Sequence, residues 1–157
     1  MKHTTLCYIE RAGQYLMLHR VKKAQDANRE KWIGVGGHFE EGESPEDCVI
    51  REVREETGLV LTRYTYRGIV TFVSDAWGTE YMHLFTADGF TGEMRACDEG
   101  TLRWIDKDAL LSLPMWAGDR IFLGLIARPR PFFSLKLQYA GEQLVGAWLD
   151  GEVFPRA

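Results

Sequence analysis

The chain has 157 residues, 45% of them hydrophobic and 27% charged, with a formal net charge of −4. That length suits one domain with a sizeable core, expected to span residues 1–157. The acidic balance (isoelectric point about 5.6) argues against a protein built to hold a long nucleic-acid backbone, and no apolar run is long enough to span a bilayer.

Thr4 to Ile9 and Tyr15 to Arg20 read as two strands around a turn at Gly13. Lys22 to Lys31 is polar and reads as a loop, and Trp32 to Phe39 as a strand running into a glycine turn. Ser44-Pro45-Glu46-Asp47 then has the form of a helix start. Ser44 is at the N-cap, Pro45 at N1, and Asp47 at N3 completes an approximate capping box. Gly58 is placed to end that helix in a left-handed conformation. Leu59 to Val73 and Glu80 to Asp88 read as paired strands across a turn at Ser74 to Thr79. A short strand, Leu102 to Ile105, precedes a short helix from Asp106 to Ser112 with Asp106 as its cap. Gly118 to Ala127 is a second main helix, apolar at Ile121, Phe122, Leu125 and Ile126. Phe132 to Ala140 and Gln143 to Asp150 close the chain as a hairpin. Strands dominate over two main helices, so an α+β fold or a three-layer α/β/α sandwich is expected.

The opening segment MKHTTLCYIERAG lacks the apolar stretch of a signal peptide. Cys7, Cys48 and Cys97 are odd in number and not at metal-ligand spacing, so they read as buried, reduced thiols of a cytoplasmic protein.

The segment Gly37 to Leu59, GHFEEGESPEDCVIREVREETGL, carries the chemistry. Within its helix, Glu52, Glu55 and Glu56 stand at i, i+3 and i+4, so three carboxylates share one face. Like charges at that spacing repel, and a hard divalent cation with oxygen ligands offsets the repulsion. The glycines of Gly34-Val35-Gly36-Gly37 let backbone approach a ligand closely and offer carbonyl oxygens. A solvated acidic face is the plainer reading of most Glu runs. The fixed spacing of Gly37, Glu43, Arg51 and Gly58 around these acids argues against it here.

This segment resembles the signature of the Nudix (MutT-type) hydrolases and matches it completely. The pattern is Gly, five residues, Glu, seven residues, then Arg-Glu-apolar-any-Glu-Glu-any-Gly-apolar. The resemblance implies a sandwich fold with a mixed central sheet and two main helices. It implies a Mg²⁺ cofactor, with Mn²⁺ as a substitute, on Glu52, Glu55 and Glu56, and the Gly36 carbonyl as a further ligand. Glu43 and Arg51 become the ion pair that locks the loop to the helix, since a guanidinium holds a carboxylate in bidentate fashion.

Outside the box the chain also resembles the subgroup that hydrolyses oxidised purine nucleoside triphosphates. Trp32 and Gly34 precede the box, Glu80 to Phe85 is similar to a strand of that subgroup, Cys97-Asp98-Glu99-Gly100 precedes Trp104, and Met115-Trp116-Ala117-Gly118-Asp119 is similar to its base pocket. The resemblance implies that Glu99 is a metal ligand or general base, that Trp116 stacks on the purine and that Asp119 bonds its edge. The plainer readings are a loop acid for Glu99, core packing for Trp116 and a helix cap for Asp119. Lys23 is a candidate phosphate contact, or simply an exposed loop residue, and His38, which follows the glycines, reads equally as a phosphate contact or a surface residue. Two positions depart from the subgroup: Ile33 stands where a base-contacting Asn is expected, and Gly118 replaces the first of two paired acids.

The reaction implied is attack of water on the β-phosphorus of a nucleoside triphosphate such as 8-oxo-dGTP, giving a monophosphate and pyrophosphate. One carboxylate among Glu52, Glu55, Glu56 and Glu99 serves as base. The alternatives are hydrolysis of ADP-ribose, dinucleoside polyphosphates or RNA 5′ ends, and a catalytically silent nucleotide-binding module. The expected partner is a small-molecule nucleotide, without nucleic-acid polymer or membrane. A silent module is expected to lose acids of the box, and every one is present here.

Overall fold

The computed structural model describes residues 1–20 and 30–155. β1 (Lys2–Arg11) and β2 (Gln14–Arg20) form an antiparallel hairpin whose two-residue turn, Ala12-Gly13, has positive φ at both positions (50° and 77°). That backbone matches the right-handed twist of the flanking strands, and the glycine adopts it without strain.

The strand expected over Trp32 to Phe39 is much shorter: β3 is Trp32–Ile33 alone. Beyond it, Val35 and His38 touch β1 only at isolated bridges to Cys7 and Thr4. The cause is the close approach of the glycines. A Cβ on Gly36 would lie 1.9 Å from the Thr5 carbonyl oxygen, so the segment presses onto β1 at points instead of running a regular ladder along it.

α1 (Pro45–Thr57) starts and stops as its residues require. The Ser44 hydroxyl accepts from the Asp47 amide (3.1 Å), and the Asp47 carboxylate accepts from the Ser44 amide (3.1 Å), so the capping box is complete. Gly58 ends the helix at φ 82°, where an added Cβ would also sit 2.6 Å from the Glu93 carbonyl oxygen. The Arg95 guanidinium donates to the Arg54 and Glu55 carbonyls at that end (3.1 and 2.6 Å).

β4 (Val60–Ser74) and β5 (Gly78–Thr91) make the long central hairpin, and β6 (Gly100–Asp106) pairs with β2 along its whole length. Lys107–Ser112 is a 3₁₀ turn. Asp106 does not cap it through its side chain, which accepts instead from Gln14 (2.9 Å). α2 (Ala117–Ile126), β7 (Phe133–Ala140), β8 (Gln143–Leu149) and a two-residue β9 (Glu152–Val153) complete the chain.

The described strands join in one mixed sheet, ordered β3-β2-β1-β5-β4-β7-β8-β9 with β6 also on β2. β1–β5 and β4–β7 are its parallel pairs. Alternation along β1 divides the core. Leu6 and Tyr8 join Phe122, Leu123 and Ile126 of α2, while Cys7 and Ile9 join Val49 and Val53 of α1. The sheet therefore lies between the two helices, which is the α/β/α sandwich expected. Cys7, Cys48 and Cys97 are buried, and none of them is in a disulfide among the described residues. Among the described residues no helix is long and apolar enough to cross a membrane.

Candidate active site

Glu52 and Glu56 face one side of α1, and the Gly34–His38 segment lies across them. The loop passes so close that a Cβ on Gly37 would stand 2.5 Å from Glu52 Oε2 and displace that carboxylate. β1 holds the segment down: the Thr5 amide donates to the Gly37 carbonyl (2.9 Å) and the Val35 amide to the Cys7 carbonyl (3.0 Å).

Arg51 ties this loop to the helix. Its Nε and Nη2 donate to Glu43 Oε2 and Oε1 (2.7 and 2.9 Å), and Nη2 also donates to the His38 carbonyl (3.0 Å). Its Nη1 donates to Glu52 Oε1 and Glu55 Oε2 (2.7 and 3.1 Å). The guanidinium holds the Glu43 carboxyl down at about 2, well below the usual carboxylate range.

The carboxylates differ sharply in environment. Glu55 is 55% exposed and outside the pocket lining, whereas Glu52, Glu56 and Glu99 line one pocket of about 470 Å³. Burial, first, and then the neighbouring Glu99 and Glu52 carboxyls push Glu56 far above the normal range, and its Oε2 has no hydrogen-bond donor among the described residues. Burial also raises Glu52, against the opposing pull of Arg51. Glu99 reaches the pocket from the start of β6, where Arg20 Nη1 meets its Oε2 at 3.3 Å. Among the described residues no three acid, imidazole or thiol groups converge tightly enough to grip an ion as their side chains stand. The donor set nevertheless suits a hard cation. It supplies hard oxygen donors on crowded carboxylates, one with an orphaned buried oxygen, and a divalent ion relieves both the crowding and the orphaned atom.

The same pocket continues into an aromatic slot. Trp116 (4% exposed) meets Phe72 and Tyr139 edge-on, at 5.4 and 5.0 Å between ring centroids. Ile33, Met82 and Asp119 line the slot with it. Trp116, not Asp119, occupies the N-cap position of α2. Asp119 instead lies buried on the pocket wall, and burial pushes its carboxyl up to about 7 against the opposing charges of Arg120 and Lys31. At Gly118, where the subgroup carries an acid, an added Cβ would fall 2.4 Å from Leu137 Cδ1 and 2.6 Å from the Tyr139 hydroxyl oxygen, so those two side chains would have to shift to admit one.

His38 and Gly36 also line the pocket, and Lys23 lies outside the described residues. Three residues that sequence reasoning passed over contribute. Arg20 lines the pocket beside Glu99, because β2 pairs with β6 so that Arg20 faces Gly100. Lys31 sets its ammonium 4.5 Å from the centre of the Trp116 ring. The Tyr8 hydroxyl is buried without a hydrogen-bond partner among the described residues, and its ring carbon Cζ comes within 3.2 Å of where a Gly34 Cβ would stand. Only strand pairing and segment packing bring these together, and no local pattern marks them. A second cavity, about 350 Å³ and lined by Thr71, Ser134, Lys136, Trp148 and Gly151, has no carboxylate.

The NUDIX domain model matches residues 2–125. The chain is 36% identical over 156 residues to the uncharacterized Nudix hydrolase YvcI of Bacillus subtilis, covering 96% of this chain and 95% of that one. It is 32% identical to the oxidized purine nucleoside triphosphate hydrolase of Danio rerio, over 85% and 84% of the two chains. Among solved structures, a MutT protein from Bacillus halodurans superposes with a TM-score of 0.86 at 30% identity, over 97% and 99% of the two chains.

Proposed function

The chain belongs to the Nudix hydrolase family and acts on phosphoric anhydride bonds, and from that premise we propose that it is a nucleoside triphosphate pyrophosphohydrolase for oxidised purine nucleotides of the 8-oxo-dGTP kind. The observation that carries this reading is that the acid cluster of Glu52, Glu56 and Glu99 and the aromatic slot of Trp116 and Asp119 share one pocket. A triphosphate lying across the glycine loop places its phosphates at the first and its base in the second. The name of the Danio rerio relative supports the substrate class.

Nudix hydrolases generally use divalent metal ions, and here Mg²⁺ is the proposed one. Glu52, Glu56 and Glu99 would hold it, with Glu55 at the outer edge and the Gly36 carbonyl as a further ligand. Once bound, the ion supplies neutralisation of phosphate charge and a lower pKa for water. The chain's own residues do the rest. Arg20, beside Glu99, meets the polyphosphate charge that lies along the pocket. Arg51 keeps the glycine loop and the helix in fixed relation, so that the phosphorus and the water meet in line. A carboxylate of the Glu52, Glu55, Glu56 and Glu99 set takes the proton of the attacking water. At the base end, a carboxyl with a pKa near neutrality presents both a donor and an acceptor to the purine edge, which lets Asp119 work without the second acid that Gly118 replaces.

The test is a hydrolysis panel in Mg²⁺ with chromatographic product identification, comparing 8-oxo-dGTP, dGTP, other nucleoside triphosphates, ADP-ribose and a dinucleoside tetraphosphate. The expected result is preference for 8-oxo-dGTP with release of pyrophosphate. Preference for ADP-ribose or the dinucleotide would retain the carboxylate site and refute the base pocket.

A further inference from the structure

Trp77 sits in the β4–β5 turn, is 43% exposed and lines the mouth of the catalytic pocket. Strand register places it. Lys2 pairs with Glu80 and Phe72 with Glu80, while Thr4 pairs with Met82 one row further in. Lys2, Glu80 and Phe72 therefore share one row of the pocket face, above the row of Thr4 and Met82, and the Ser74–Gly78 pair and the Trp77 turn lie beyond it.

The turn is held from several sides. The Ser74 hydroxyl accepts from the Ala76 and Trp77 amides (3.1 and 3.0 Å), and the Lys2 ammonium donates to the Trp77 carbonyl (2.7 Å). The Asp75 carboxylate accepts from the Gly141 amide (2.9 Å), and Thr4 donates to Glu80 (3.0 Å) beside it. These bonds are made by backbone and neighbouring side chains, so the turn does not need an indole to hold its shape. A large aromatic ring on a pre-ordered turn, left partly in water at the mouth of a pocket already lined by Phe72 and Trp116, has the character of a contact surface for a ligand.

We propose that Trp77 is a substrate-contacting residue, a stacking platform at the pocket mouth for a purine-type base carried on a polyphosphate. The proposal rests on the reading of the pocket as a nucleotide site. The base has two possible sources, the triphosphate's own base or the second base of a dinucleoside polyphosphate, and the stacking chemistry is the same for both.

The experiment compares wild type, Trp77→Ala and Trp77→Phe in the full chain. It reads kcat and KM for 8-oxo-dGTP and for diadenosine tetraphosphate, the melting temperature, and calorimetric binding of dGMP and AMP to the metal-free protein. Trp77→Ala is expected to raise KM roughly tenfold at unchanged kcat and melting temperature, the size of one lost base–aromatic stack. Trp77→Phe is expected to stay within about threefold, since a ring remains. An effect on 8-oxo-dGTP assigns the platform to the triphosphate's own base, and an effect on the dinucleotide alone assigns it to a second base. Unchanged KM on both substrates overturns the proposal, as does a joint fall of kcat and melting temperature, which marks a structural role. If wild type turns over neither substrate, the functional reading fails by itself. Monophosphate binding then decides the proposal: about tenfold weaker binding in Trp77→Ala supports it, and equal binding overturns it.

Discussion

Replacing Glu56 by Gln separates what this position costs the fold from what it gives the site. In the metal-free protein the Glu56 carboxyl is pushed far up by burial and then by Glu99 and Glu52, and one oxygen lacks a donor. In the unfolded chain it titrates near 4.3. The folded state thus holds a proton that the unfolded state releases, and stability falls as pH rises from about 4.3 towards the folded value. The slope is at most about 1.4 kcal/mol per pH unit, so this group removes up to roughly 3 kcal/mol between pH 5 and 7. Gln has nearly the same shape, stays neutral and escapes that loss. For a chain of this size 1 kcal/mol moves the melting temperature by about 2–4 °C. With EDTA present, the Gln variant should gain up to roughly 6–12 °C on wild type between pH 5 and pH 7. Adding Mg²⁺ should then raise wild type selectively, because only wild type keeps the charged ligand, while turnover of the variant falls by orders of magnitude. Differential scanning calorimetry across that range is the assay. A melting-temperature difference that stays constant from pH 5 to 7 would refute the burial argument, and unchanged turnover would sink the metal-ligand assignment.

Two further outcomes follow from the same geometry. Asp119, raised to about 7 by burial, is expected to bend the pH profile of KM for nucleotides near neutrality. Asp119→Asn should flatten that bend and remove the stability lost as pH climbs from about 4 towards 7; a profile that still bends in the variant contradicts the assignment. Arg51→Lys replaces a guanidinium fork that spans both Glu43 oxygens and the His38 carbonyl. A lysine cannot reproduce that fork, so a loss of about 2 kcal/mol is expected in urea unfolding, and a wild-type midpoint would refute the locking role.

Much of the fold was readable because its signals are local. Ser44, Pro45 and Asp47 announce the start of α1 and Gly58 its end, since a cap depends on residues within one turn. The strands of the β1–β2, β4–β5 and β7–β8 hairpins were legible for the same reason. The expected strand over Trp32 to Phe39 failed because Gly36 and Gly37 answer to the backbone of β1 and to Glu52, neither of which is near in sequence. The Asp106 cap failed because Gln14, across the β2–β6 ladder, binds its carboxylate.

The carboxylate face was determined by the sequence alone, because helical spacing sets it, while the family and the bracing of Glu43 by Arg51 were implied by the resemblance of one short segment to the Nudix signature. Which acids of the candidate set line the pocket was decided by tertiary structure: Glu52, Glu56 and Glu99 do, and Glu55, paired with Arg51, stays 55% exposed outside it. So were the placing of Arg20 beside Glu99, the buried seat of Asp119 and the close packing of Leu137 and Tyr139 on Gly118. Each depends on strand pairing or burial between segments far apart in the chain, and a carboxyl's proton affinity follows from that burial, which spacing along a helix does not encode.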